Sequence, residues 1–186
     1  MRIKFITATQ PRNLTESSNP MIQRIQTVYL ALVLIFSFVG LISTIGEWTV
    51  ADAVVAHFSN FTFGAEGQFK ALDSTSGPWC LGILLILVMF LSTMSIMLFR
   101  KRMRQLRLTI ISTILLVGYV AAYAVFAYYY HLNLEQLVGE GNGSIVPTFH
   151  FKFISIFPVL SIILNCLAIQ GIRKDEALVR SLDRIR

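Results

Sequence analysis

Four stretches of the chain carry no charged residue and no histidine: Val28–Gly46, Trp79–Phe99, Leu108–Tyr130 and Phe153–Ile172. Each comes close to the ~20 apolar residues that a helix needs to cross the hydrocarbon core of a bilayer. The apolar positions run on without a break, unlike the one-sided stripe of a soluble amphipathic helix. One such block could be the buried helix of a soluble protein; four in 186 residues predict a polytopic membrane protein. The expected fold is an all-α membrane protein, a four-helix transmembrane bundle. Residues 21–186 would form its single membrane domain, with outer segments at 47–78 and 131–152 and a tail at 173–186.

Between the blocks the pattern changes. "VVAHFSNFTF" alternates, so that Val54, Ala56 and Phe58 would share one strand face, with Val55 and His57 opposite. "FHFKF" repeats the alternation through Phe149, Phe151 and Phe153. Two short strands from different segments would pair into a small sheet, capping the outer end of the bundle and burying side chains otherwise left in water. Gly64, Gly67, Gly77–Pro78 and Gly139–Gly143 read as turns. Past the fourth block, "IRKDEALVRSLDRIR" continues the last helix, with Leu178, Leu182 and Ile185 on one face and Glu176 four residues before Arg180. A mixed-charge helix with an apolar stripe suits a lipid surface or a partner protein. Leu178, Arg180, Leu182 and Ile185 are therefore candidate contacts.

Composition agrees with the blocks: 55% of residues are hydrophobic and 14% charged, with a mean hydropathy of +0.66. The distribution of the charge says more than its formal total of +6. Of 16 Lys and Arg, four precede the first block (Arg2, Lys4, Arg12, Arg24). Five lie between the second and third (Arg100, Lys101, Arg102, Arg104, Arg107), and five follow the fourth. Only Lys70 and Lys152 fall in the other two connections. Lys/Arg excess in short loops marks the cytoplasmic side, so both ends of the chain and the basic connection are expected inside, and residues 47–78 and 131–152 outside. "RKRMRQLR" is read as a topology determinant, and no nucleic-acid partner is expected.

The basic connection is short enough to make the second and third spans antiparallel neighbours. Gly40-x-x-x-Thr44 and Gly118-x-x-x-Ala122 offer small-residue faces for helix packing, as do Ser92 and Ser95. Asn165, the most polar residue inside a span, is expected to hydrogen-bond across helices, and Pro158 to kink the fourth span. Tyr119, Tyr123, Phe126 and Tyr130 recur at helical spacing; with Trp48 and Trp79 they fit an aromatic belt at the membrane interface.

Groups able to do chemistry are few. His57, His131 and His150 lie in or beside the outer segments, with Glu47 and Asp52 as conceivable neighbours, but no ligand spacing marks a metal site. Cys80 and Cys166 differ in depth by about 20 Å at the rise of an α-helix, beyond disulfide reach. There is no P-loop, no G-x-G-x-x-G and no G-x-S-x-G. The spans hold no ionisable residue of the kind that marks proton relays. The sequons at Asn13, Asn60 and Asn142 are triplets short enough to arise by chance. No cofactor, metal or enzymatic activity is expected.

The first apolar block is longer than a signal-peptide core and has no A-x-A site after it, so it reads as a retained span. The twenty residues before Met21 mix Pro, Asn, Ser and Thr and are expected to be disordered, with a helix beginning near Met21 after Pro20. From Met21 the chain reads "MIQRIQ", and it closes on Lys174–Glu176, Leu178–Ser181 and Asp183–Arg184. With the Arg-rich turn between, these motifs resemble a family of small four-span inner-membrane proteins of the Bacteroidota, known as a domain of unknown function. The resemblance covers about Met21 to Arg186 and is most specific at its two ends. It implies a bacterial inner-membrane location and an initiator at Met21, and it carries over no catalytic residue. A claudin-like tetraspan has a similar topology and a Trp such as Trp48, but it places a cysteine pair in the first outer segment, which has none here.

The functional expectation is a non-enzymatic accessory, assembly or scaffold subunit, embedded in the lipid bilayer and bound to another membrane protein or to itself. The alternative is a small transporter or channel subunit, in which an oligomer lines a pore with Asn165, Ser92 and Ser95.

Overall fold

The computed structural model describes residues 20–50, 53–66, 78–98, 102–141 and 147–183. Four helices, α1 (Pro20–Ile42), α2 (Trp79–Met97), α3 (Arg102–Gly141) and α4 (Phe157–Asp183), carry four strands at one end. The strands are β1 (Thr44–Val50), β2 (Ala53–Ser59), β3 (Phe63–Ala65) and β4 (Thr148–Phe151), and a 3-10 turn over Phe153–Ile156 leads into α4. Each helix contains a stretch long and apolar enough to cross a membrane, and the architecture is compatible with a multi-pass membrane protein. The helices neighbour one another in a closed ring, α1–α2–α3–α4 and back to α1.

The sheet has the order β3-β2-β1-β4, antiparallel throughout. Because β1–β3 connect α1 to α2 while β4 precedes α4, one sheet gathers the end of α1, the start of α2, the end of α3 and the start of α4. Residues 20 and 183 therefore lie at the end away from this cap, as does the start of α3 with Arg102, Arg104 and Arg107.

The elements differ from the expected ones in several places, among them the start of α4 at Phe157 rather than Phe153 and the place of Gly64 in β3 rather than in a turn. α1 ends at Ile42, and Thr44–Gly46, expected as the end of the first span, belong to β1. Their β-branched residues favour a strand, and the strand buries Ile45 and Trp48. The two expected strands do not pair with each other. β1 lies between β2 and β4 and pairs with both, and β4 stops at Phe151, short of Phe153. α3 runs for 40 residues instead of the span at 108–130, about 60 Å at the rise of an α-helix. It absorbs Arg102–Arg107 at one end and residues 131–141 at the other, where Tyr130 and Leu134 are buried under the cap. Pro158 does not kink α4. It is the second residue of the helix, in the first turn, where its missing N–H costs nothing.

α1 and α2 are short beside α3, with 23 and 19 residues. The sheet fills the notch above their ends and leans on the taller α3. Trp48, Phe58 and Phe63 are fully buried there. Phe63 stacks on Tyr130 with ring centroids 4.1 Å apart, and Trp48 packs against Phe63 at 5.5 Å and Phe149 at 4.5 Å. Tyr119 and Tyr130 are thus core residues, and Trp48 is the centre of the cap; none of them forms the expected aromatic belt. Trp79 does remain half exposed. In β1 the absent side chain of Gly46 leaves room for the Phe149 ring, which a Cβ would strike.

Candidate functional site: the cap and its junction with the bundle

An α-helix leaves its last four carbonyls and its first four N–H groups without partners. Within an apolar bundle each such group is expensive. At the end of α1, the Ser43 hydroxyl donates to the Val39 carbonyl at 2.7 Å. Asn60, in the turn between β2 and β3, supplies partners for two more: its Nδ2 donates to the Gly40 carbonyl at 2.6 Å and more weakly to Leu41 at 3.4 Å. The same residue's carbonyl accepts the N–H of Gly82 in the first turn of α2 at 3.1 Å. Its Oδ1 accepts the hydroxyl of Tyr119, on α3, at 2.7 Å. One asparagine, fully buried, therefore ties the cap to three helices. The turn that presents it is held by Ser59 and Thr62, whose backbone and hydroxyl groups bond across it at 2.9–3.1 Å. Gly82 has no side chain because the ring of Phe61 lies where its Cβ would be.

The face of the sheet turned away from the bundle carries the charged groups. Glu47 of β1 stands opposite His57 of β2 and His150 of β4 in register, and Lys152 pairs with it at 2.5 Å. His57 and His150, two of the three candidate histidines, thus form one row with the glutamate across three strands, while the His57 ring turns to cover Gly64 on the far side. Among the described residues no group of three His, Cys, Asp or Glu side chains gathers closely enough to hold a metal ion. Asp52 lies outside the described residues. Cys80 and Cys166 are both free thiols.

On the flank, between α3 and β4, a groove with a cavity of about 270 Å³ is lined by Tyr123, Ala124, Ala127, Tyr128 and His131 on one side and Phe149 and Phe151 on the other. His131 Nδ1 is sealed from solvent with no hydrogen-bond partner.

The remaining sequence candidates fall into three groups. Asn165 does reach across helices: its Nδ2 donates to Ser112 on α3 at 3.4 Å, and its Oδ1 is buried without a partner. Ser95 bonds Thr109 at 3.0 Å, and Ser92 is buried with no partner. All three face the interior of a single bundle, at no more than 1% exposure, so they are not available to line a pore between copies. A Cβ at Gly40 or Gly118 would meet nothing within 4 Å. Neither glycine marks a close helix contact, and Thr44, the expected partner of Gly40, is in β1. Among the described residues, Gly171 of α4 does stand at a contact between helices, where a Cβ would come within 3.1 Å of Gln26 on α1. Arg104 and Arg107 are placed in the first turns of α3, as is the backbone of Arg102, at the end away from the cap. Arg100, Lys101 and Ile185 lie outside the described residues, as do residues 1–19 and the side chains of Leu178, Arg180 and Leu182.

Because Thr109 keeps a second hydrogen bond to the Gln105 carbonyl at 2.9 Å, Ser95→Ala is expected to cost only about 0.6 kcal/mol, the average for an interhelical hydrogen bond in a membrane protein. Reversible unfolding in mixed micelles would measure it.

The model of the domain of unknown function DUF4293 matches residues 22–185, which take in all four strands and all four helices but for the first two residues of α1. The chain belongs to the DUF4293 family. No curated protein matches it. The Asn60 junction, the Glu47 row and the groove all lie within the DUF4293 domain. Sequence reading passed over Asn60 as a chance sequon and Gln26 as part of the opening motif. The signal at Asn60 was local: a lone amide between Phe58, Phe61 and Phe63 has to find its partners in an apolar neighbourhood.

Proposed function

We propose that this DUF4293 protein is a non-enzymatic accessory or scaffold subunit of a bacterial inner membrane, with the cap on the outer face as the docking platform for another membrane protein. The observation that carries this reading is the fixed cap with an open side. Asn60 clamps the sheet to three helices, and among the described residues β4 ends the sheet as an edge strand with His150 and Phe151 exposed. An unpaired edge is a template for a partner's strand, and a rigid one loses little entropy on binding. The orientation follows from the basic residues at the opposite end of the bundle, which the positive-inside rule assigns to the cytoplasm. The amphipathic tail would lie on the cytoplasmic lipid surface. The pore alternative loses its support with the burial of Asn165, Ser92 and Ser95 inside one bundle.

A photo-crosslinking amino acid at His150, installed in cells, tests the reading. It is expected to give one adduct with a different membrane protein that also co-purifies in fixed ratio, and a probe at Ile114 on the exposed face of α3 is expected not to give it. Adducts only between copies of the chain, or the same adducts from both positions, would overturn the proposal.

A further inference from the structure

We infer that the groove between α3 and β4 is a binding site for one phospholipid of the surrounding bilayer, with its acyl chain on Ala124 and Ala127 and a head-end oxygen hydrogen-bonded to His131. The inference rests on reading α3 as a membrane span, and its test needs no protein partner.

Depth places the groove at the boundary of the hydrocarbon. Counted from Leu108, the first residue after the basic run, about twenty residues at the helical rise span the ~30 Å core and end near Ala127. His131 follows one turn later, at headgroup level. The site's ingredients are ordered to match. Ala124 and Ala127 form a floor without bulk, Phe149 and Phe151 of β4 form a wall, and the one imidazole of the lining, His131, stands at the shallow end. The cavity of about 270 Å³ is lined chiefly by alkyl and aromatic groups, which hold water poorly.

Continuity names the occupant. Val117, Ala121, Ala124 and Tyr128 stand on one exposed stripe of α3 at helical spacing, and the groove opens on that stripe. The medium that covers an exposed apolar stripe of a span is lipid, and it runs into the groove without a step. His131 supplies the specific contact. Its Nδ1 is buried without a partner, and a buried N–H left unpaired is rarer than a bare acceptor. The proton is therefore assigned to Nε2, which makes that nitrogen the donor available to an ester or phosphate oxygen.

The chain contains two tryptophans, and Trp48, fully buried, packs at 4.5 Å on the Phe149 ring that walls the groove. In a Trp79→Phe variant Trp48 is the only indole. That variant is reconstituted into vesicles of phosphatidylethanolamine and phosphatidylglycerol whose acyl chains carry bromine near the ester end; bromine quenches an indole only at close range. Trp48 is expected to be quenched several-fold more deeply than in the same protein with Ala124→Leu and Ala127→Leu, which fill the groove. His131→Leu is expected to shift half-quenching to a higher fraction of brominated lipid. Emission of Trp48 in ordinary lipid, unchanged among the variants, confirms that each is folded. Equal quenching with the groove open and filled, or none in either, overturns the site; failure of the protein to float with vesicles would instead overturn the reading of α3 as a span.

Discussion

Replacing Asn60 by alanine is expected to be among the most damaging single changes in the protein. It strips partners from two buried groups at once, the Gly40 carbonyl and the Tyr119 hydroxyl. Leaving a buried polar group unpaired costs about 1–3 kcal/mol, so the pair amounts to roughly 2–6 kcal/mol. For a chain of this length that corresponds to a fall in Tm on the order of 10 °C. The comparison with neighbouring variants makes the claim specific. Tyr119→Phe removes only one hydrogen bond and leaves the Nδ2 contacts of Asn60 in place, so it should cost on the order of 1 kcal/mol. Asn60→Asp keeps an acceptor for Tyr119 but turns an oxygen toward the Gly40 carbonyl, acceptor against acceptor, and should rank with alanine. Thermal unfolding in detergent would order the three. If Asn60→Ala proves no worse than Tyr119→Phe, the asparagine is not the clamp described here. Hydrogen exchange adds a second readout, since loss of the clamp should expose β1–β3 amides before those of the helices.

Trp48→Ala should be comparably severe for a different reason. The indole is fully buried among Phe58, Phe63 and Phe149, and truncating a core tryptophan costs about 3–5 kcal/mol through lost burial and the cavity left behind. The damage should stay in the cap, because Trp48 belongs to the sheet and the helices keep their own contacts. Far-UV circular dichroism is therefore expected to retain its helical signal while limited proteolysis begins to cut within residues 44–66. Trp48→Phe should be milder than its loss of volume implies. Trp48 Nε1 is buried without a partner, so phenylalanine also removes an unpaired donor, and a net cost of about 1–2 kcal/mol is expected. A phenylalanine variant as unstable as the alanine one would mean that the Nε1 proton has a partner after all.

The elements that sequence reading placed well and badly differ in kind. Trp79 begins its helix as expected, and the apolar blocks mark all four helices, because an uncharged run of that length has few other uses. The alternation through Val54–Phe58 and Phe149–Phe151 marks strands for a similarly local reason. Thr44–Gly46 is different. A short apolar run cannot be assigned to helix or strand by periodicity alone, and this one joins the first block without a break. The stripe Tyr119, Tyr123, Phe126 and Tyr130 has one spacing whether it meets lipid, a membrane interface or a cap. What decided it was the arrival of Asn60 and Phe63 from another part of the chain.

The candidate site divides along the same line. That this chain has four membrane-length helices, basic residues at one end of them and strand-forming segments between them was determined by the sequence by itself. Those properties are sums over neighbouring side chains, and neighbours in sequence are neighbours in space. Which buried polar groups would find partners was decided only by the tertiary structure. The Tyr119 hydroxyl and Asn60 are 59 residues apart in the chain and 2.7 Å apart in the fold, as the row of His57, Glu47 and His150 exists only through sheet register. A hydrogen bond is a property of two atoms and of the path that brings them together, and no local sum contains it.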